Sequence, residues 1–257
     1  MAKIFDFELV FTQIPSLLSY LPATLELALL STLVGFLLGL LIAIIKIHKV
    51  KVLDKIATIF VSVVRGTPIL VQLYIAYFGI PMLIKFINLK TGSSYNIAAV
   101  PGFIYAMAAL AINQSAFDAE IIRAALISVN PGQIEAAESL GMTYWQALRR
   151  IILPEAITVA LPSLGNTFIS AIKSTSLAFT CGVVEMTAQG RILSGRNYRY
   201  FEVYVSLAII YWVLTIIIER LIKLFEKKTA IPEQVELYSL KEPNDKNENS
   251  VAAEGVV

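Results

Sequence analysis

The sequence predicts an all-α integral membrane protein of about five transmembrane helices, with a short helical segment on the cytoplasmic side between the third and fourth. Three observations carry that prediction. Of 257 residues, 57% are hydrophobic and only 16% charged, and the mean hydropathy is +0.71, values a soluble globular domain does not reach. Five apolar runs approach the ~20 residues a helix needs to cross a ~30 Å hydrocarbon core. Lysines crowd the first loop between those runs, the asymmetry that sets orientation.

Residues 1–16 are expected to form an extracytoplasmic N-terminal segment, with Asp6 and Glu8 where a cleavable leader would need a basic flank. The first run, Leu17 to Ile45, contains one charge, Glu26; the uncharged stretch from Leu27 to Ile45 alone spans roughly 28 Å as a helix, which puts Glu26 at the outer interface. Gly35 and Gly39 in this run have the spacing of a close helix-packing site. The second run, Ala57 to Ile84, is interrupted at Arg65-Gly66-Thr67-Pro68, and the third extends from Ile97 to about Phe117. The fourth, Ile157 to Val184, contains Pro162, Gly165, Lys173 and Gly182 and is expected to be broken and the least regular. The fifth, Val203 to Ile218, is flanked by Tyr198, Tyr200, Phe201 and Tyr204, an aromatic collar of the interfacial kind.

Lys46, Lys49, Lys51 and Lys55 assign the first loop to the cytoplasm. Alternation then places the N-terminus outside, Lys85 to Asn96 outside, Arg123 to Glu155 inside and the C-terminus inside, in a multi-pass chain of the cytoplasmic membrane. Arg220, Lys223, Lys227 and Lys228 agree; Arg191, Arg196 and Arg199 oppose it, either as solvated loop charge or as cations facing an anionic partner or substrate. The spanning region is thus 17–228. The tail, 229–257, is polar and acidic, with 2 basic against 6 acidic residues, and is predicted to be disordered.

One cysteine, Cys181, and one histidine, His48, exclude an internal disulfide and a zinc or catalytic cluster. No phosphate-cradling glycine motif is present, so nucleotide energy would have to come from a partner. A membrane enzyme has no visible nucleophile or metal site. A self-sufficient secondary carrier or channel remains the alternative, but it would need coupling carboxylates at mid-membrane and usually an internal repeat, and no repeat is evident. Nothing calls for nucleic acid.

The stretch between runs three and four is the most informative. Asn130-Pro131-Gly132 reads as a turn, Gln133 to Leu140 as a helix, and Gly141 as its left-handed stop. Thr143 is expected to cap a second short helix through Ile152, ended by Leu153-Pro154 because the residue before proline is pushed out of the helical region. Ala136 and Ala137 allow close approach, so the segment reads as a helix-turn-helix suited to docking into another protein's groove, or else as an ordinary connecting loop.

The pattern E-A-A, three residues, G, nine residues, I-x-L-P runs from Glu135 to Pro154 and resembles the EAA loop of permease subunits in ATP-binding-cassette importers. Arg65 to Gln72 (RGTPILVQ), Ala119 to Arg123 (AEIIR) leading to Gly132-Gln133, and Asn166 to Leu177 (NTFISAIKSTSL) resemble the polar amino acid uptake branch, whose usual run has Asp where this chain has Ser174. The resemblance covers roughly Leu17 to Lys228. It implies a type I importer permease fold with a cytoplasmic coupling helix, and contact of Glu135, Ala136, Ala137, Glu138, Gly141 and Pro154 with a pair of ATPase subunits. It further implies a second permease copy or paralogue and an extracytoplasmic binding protein that delivers an amino acid. ATP and magnesium would bind the ATPase, and this chain itself would hold no cofactor. Around Lys173 to Leu177 and Thr180 to Leu193 the chain most resembles L-cystine permeases.

Intramembrane polar residues supply the candidate substrate path. An ammonium mid-membrane costs about 2.5–3.5 kcal/mol, so Lys173 should face protein or water. With Ser174, Thr175 and Ser176 it either lines the path, for which Glu120 is a further candidate, or forms an ion pair with Glu120 or Asp118. Gln72 either lines the pore or hydrogen-bonds between helices. Arg65, with Thr67 and Pro68, reads as structural, its guanidinium satisfying carbonyls freed at the interruption.

Overall fold

Helix α6 (Gly102–Ile127) is the post around which the others are arranged. The computed structural model describes residues 4–96 and 99–229; the tail expected to be disordered lies outside them except for Thr229, which ends a helix, and Ile97, where the third run was expected to start, also lies outside. Among the described residues, four helical rods are long and apolar enough to cross a membrane: α3 (Leu21–Ile47), α5 (Ile69–Thr91), the rod Tyr144–Cys181 and α11 (Tyr200–Thr229). At 26 residues, α6 would span roughly 39 Å. It is more polar because protein rather than lipid surrounds it: Gln114, Ser115 and Asp118 are buried among α3, α9 and α5.

The most extensive helix pair is α3 with α6, and it is parallel. A Cβ on Gly35 would lie 2.8 Å from Gln114 Cβ, and one on Gly39 would lie 2.9 Å from Asp118 Cβ. The four-residue glycine spacing is therefore a true packing seam, in which backbones approach because no side chain intervenes.

The first rod starts later than the apolar run. Leu17 belongs to α2 (Ile14–Leu18), after α1 (Phe7–Thr12), which Asp6 caps. Both pack on the start of α11, where Ser206 Oγ donates to Val10 O at 2.7 Å. The second run is two helices rather than one, α4 (Lys51–Gly66) and α5, because Thr67 and Pro68 are extended.

Proline had the opposite effect from that expected at Leu153-Pro154. Helix α7 (Pro131–Ser139) is followed by α8 (Tyr144–Ala147), which runs through a π-turn (Leu148–Ile152) straight into α9 (Leu153–Ser174). Leu153 N–H donates to Leu148 O, five residues back. The widened turn makes room for a proline ring that would otherwise clash with the preceding turn, so the rod continues. Pro162 and Gly165 also leave α9 unbroken: Gly165 seats Ile222 of α11, with only 2.7 Å between its missing Cβ and Ile222 Cγ2. The irregularity comes later, as a 3₁₀ stretch (Thr175–Cys181) stopped by Gly182 at φ +78°.

The arginine-bearing loop is mostly helix, α10 (Met186–Asn197), whose buried N-cap Glu185 accepts from the backbone N–H groups of Thr187 and Ala188. Arg191 lies 4.1 Å from the Phe179 ring centroid and Arg199 pairs with Glu202 at 3.1 Å, so two of the three arginines have intramolecular contacts.

Candidate functional site

Helices α6 and α9 run antiparallel, with a polar cavity of about 280 Å³ between them, lined by Asn113, Gln114, Phe117, Thr167, Ser170 and Ser174 among others. Behind the lining, the buried Asp118 accepts from two lining side chains, Thr167 Oγ1 at 3.1 Å and Gln114 Nε2 at 3.2 Å. The amides and hydroxyls of this lining make a surface that can hydrogen-bond a small polar solute. Hydropathy alone carried a weak signal for this wall, the dip at Asn113-Gln114, which the sequence reading passed over along with Thr167 and Ser170.

The break between α4 and α5 adjoins the cavity. Gln72 closes it: Nε2 donates to Val64 O at 2.8 Å and lies 3.1 Å from Thr67 O, while Oε1 accepts from Asn113 Nδ2 at 3.1 Å. One amide thus serves the freed carbonyls and ties α5 to α6, the requirement for irregular backbone at membrane depth. Arg65 was expected to satisfy those carbonyls; its guanidinium instead lies 5.3 Å from the centroid of Phe117, a cavity-lining ring. Thr67 Oγ1 donates back to Val63 O at 2.9 Å, and Pro68 begins the turn into α5.

The other expected path residues are dispersed. Ser174 lines the cavity, Thr175 is fully buried and donates to Ile172 O at 2.6 Å, and Ser176 is partly buried. Lys173 is exposed and pairs with neither Asp118 nor Glu120. The ion-pair alternative fails because Glu120 is already held by Lys46 of α3 and by Arg123 at 2.9 Å, two turns along α6 from Asn113.

At the same end of the bundle stands the segment that joins α6 to α9. Asn130 Oδ1 accepts from Gly132 N at 2.9 Å and starts α7. Its end is a Schellman stop: Met142 N–H reaches Ala137 O at 3.0 Å, Gly141 N–H reaches Glu138 O at 2.9 Å, and Gly141 takes φ +77°. Thr143 and Gln146 form a reciprocal capping box at the start of α8. Glu135, Ala136 and Glu138 are exposed, whereas Ala137 is turned inward and buried, so only one of the two alanines lies on the outer face. Pro154 belongs to the rod behind the segment rather than to its surface. Leu140 and Trp145, 80% and 75% exposed, add an apolar rim that the sequence reading did not single out.

A binding-protein-dependent transport system inner membrane component family matches residues 35–231. A probable amino-acid permease, YxeN of Bacillus subtilis (strain 168), is 44% identical over 227 residues, covering 88% of this chain and 97% of that one. The L-cystine transport system permease TcyL of the same organism is 40% identical over 228 residues, covering 89% and 93%. The glutamine permease GlnP of Escherichia coli (strain K12) is 33% identical over 227 residues, covering 88% and 99%. The crystal structure of an amino acid ABC transporter with histidines superposes at a TM-score of 0.73 with 40% identity, over 87% of this chain and 99% of that one. The all-α importer permease fold expected from the EAA pattern is the fold observed. The chain belongs to the family of binding-protein-dependent transport system inner membrane components.

Proposed function

We propose that this chain is the membrane-spanning permease subunit of an ATP-driven importer of polar amino acids. One observation carries the reading: the two helices that wall the polar cavity, α6 and α9, are the same two that the α7–α8 segment joins. A force applied to that segment reaches the cavity along continuous helices. Glu135, Ala136 and Glu138 would meet the ATPase, with Gly141 fixing the reversal. ATP and magnesium would act in a pair of ATPase subunits, and a second permease copy or paralogue would complete the path. An extracytoplasmic binding protein would deliver the solute near α10, with the N-terminus outside and the C-terminus in the cytoplasm.

The substrate class follows from relatives named for amino acids, L-cystine and glutamine, and from a cavity of amides and hydroxyls suited to an uncharged polar side chain and a zwitterionic backbone. The test is reconstitution of the full chain with its ATPase and binding protein in proteoliposomes, reading ATP hydrolysis as amino acids are added one at a time, L-cystine and glutamine first. Uptake that needs both partners and ATP is expected. Uptake by this chain alone, driven by an ion gradient, would instead establish the secondary carrier.

A further inference from the structure

On another flank of the same helices, α3, α6 and α9 leave a groove of about 460 Å³ lined by apolar side chains, among them Phe36, Leu40, Leu126, Leu153, Ile157 and Leu161. That volume falls within the ~300–1,000 Å³ of ligand pockets. The glycine seam fixes α3 against α6, while Ala125, Ala156 and Ala160 keep the floor between α6 and α9 low. At about 100° per residue, the groove lies roughly a third of a turn around α6 from Asn113 and Phe117, so it is separate from the polar cavity.

Two arginines precede the groove residue Leu153 on the same rod. Arg149 and Arg150, on the π-turn, lie one turn before Leu153 and are both exposed. Neither makes an ion pair among the described residues, and Glu155, the next acid along the rod, is paired with neither. The cations Lys46 and Arg123 at the same end are different, since both pair with Glu120. An apolar groove in a membrane-spanning bundle, with two unpaired arginines one turn along the rod from its lining residue Leu153, is complementary to a lipid with an anionic headgroup. Guanidinium takes phosphate oxygens through paired hydrogen bonds, and basic sites between helices bind such headgroups.

We propose that the α3–α6–α9 groove binds one anionic phospholipid, its acyl chain along the apolar floor and its phosphate on Arg149 and Arg150. Lipid tails and leucines are equally apolar, so the groove selects by packing and the arginines by charge. The bound lipid would brace the rod that carries α8 against α3 at a point where protein leaves a gap.

The probe is dioleoyl-phosphatidylglycerol against dioleoyl-phosphatidylcholine, each titrated into the purified full chain with its partner subunits and read by native mass spectrometry. Retention of the glycerol lipid at about tenfold lower concentration than the choline lipid is expected. Arg149→Gln with Arg150→Gln should remove that preference. Ile157→Trp, an exposed groove position that accepts a larger side chain, should cut retention of both lipids without lowering Tm. Equal retention of both lipids by all three proteins would show ordinary annular lipid and overturn the site. Full retention in Ile157→Trp would show headgroup contact without the groove, and a disulfide between two copies carrying Ile157→Cys would show that a second permease covers it; either sinks the proposal. Because bound lipid mass is read rather than uptake, a failed transport assignment would leave this result standing on its own.

Discussion

The docking segment and the polar cavity share two helices and are built on opposite principles. The segment is local: Asn130, Gly141, Thr143 and Gln146 set its caps and stop through hydrogen bonds no longer than five residues in chain separation. The cavity is assembled at a distance, with Asn113 on α6 tied to Gln72 of α5 and Asp118 held by Thr167 of α9. The lesson is that the segment can be damaged without disturbing the cavity, and the cavity loosened without disturbing the segment. The transport step requires both.

The largest effect is expected for Gly141→Val, which forces a β-branched residue to φ +77°, costing about 1–2 kcal/mol and misdirecting the chain reversal. Uptake should fall to background and the ATPase should no longer co-purify, while membrane insertion stays normal. Undiminished uptake with normal ATPase recovery would reduce the segment to a plain connection. Gln72→Leu attacks the other side: it removes the donor to the carbonyls of Val64 and Thr67 and the acceptor of the Asn113 amide, at about 1–3 kcal/mol for a buried group left unpaired. Uptake should drop at least tenfold while the ATPase still binds; loss of both together would mean that the two regions are not separable.

Lys173→Met sharpens the cavity side. With no ion pair to lose among the described residues, it should leave Tm unchanged and lower uptake severalfold, with the ATPase still co-purifying. Unchanged uptake would remove Lys173 from the path. The smallest change is expected from Thr143→Ala, which deletes the capping box and costs about 1 kcal/mol of local helix stability. ATPase recovery should weaken a fewfold and KM for substrate should not move; a KM shift would show that the segment reaches the cavity even at rest.

That same contrast explains what could be read before the structure. Helix, stop and cap in the segment are consecutive signals, so Gly141 and Thr143 could be assigned roles from sequence. The cavity could not, because Asn113 acquires meaning only beside Gln72, 41 positions away. Pro154 and Pro162 misled for a related reason, whereas Pro68 breaks the second run as expected. Pro68 divides two helices, Pro162 sits inside one and Pro154 follows a π-turn; the outcome depends on whether neighbours take over the freed carbonyls, which composition does not record. Lys173 was read against Glu120 or Asp118, yet Glu120 was already taken by a lysine from another helix. Gly35 and Gly39 were legible in pattern, though not in the partner they meet.

The π-turn at Leu148–Ile152 has one more implication, for angular phase. A turn closed over five residues instead of four shifts everything before it by about 100° relative to an uninterrupted α-helix. The bearing of the α7 edge that carries Glu135 and Ala136, relative to the wall that carries Thr167 and Ser174, is therefore dialled by a single inserted residue. Pro154, with no N–H to close the narrower ring, keeps the dial from slipping back. In this rod the proline acts as a ratchet pawl, holding the docking edge at a fixed compass heading while the helix transmits thrust along its length.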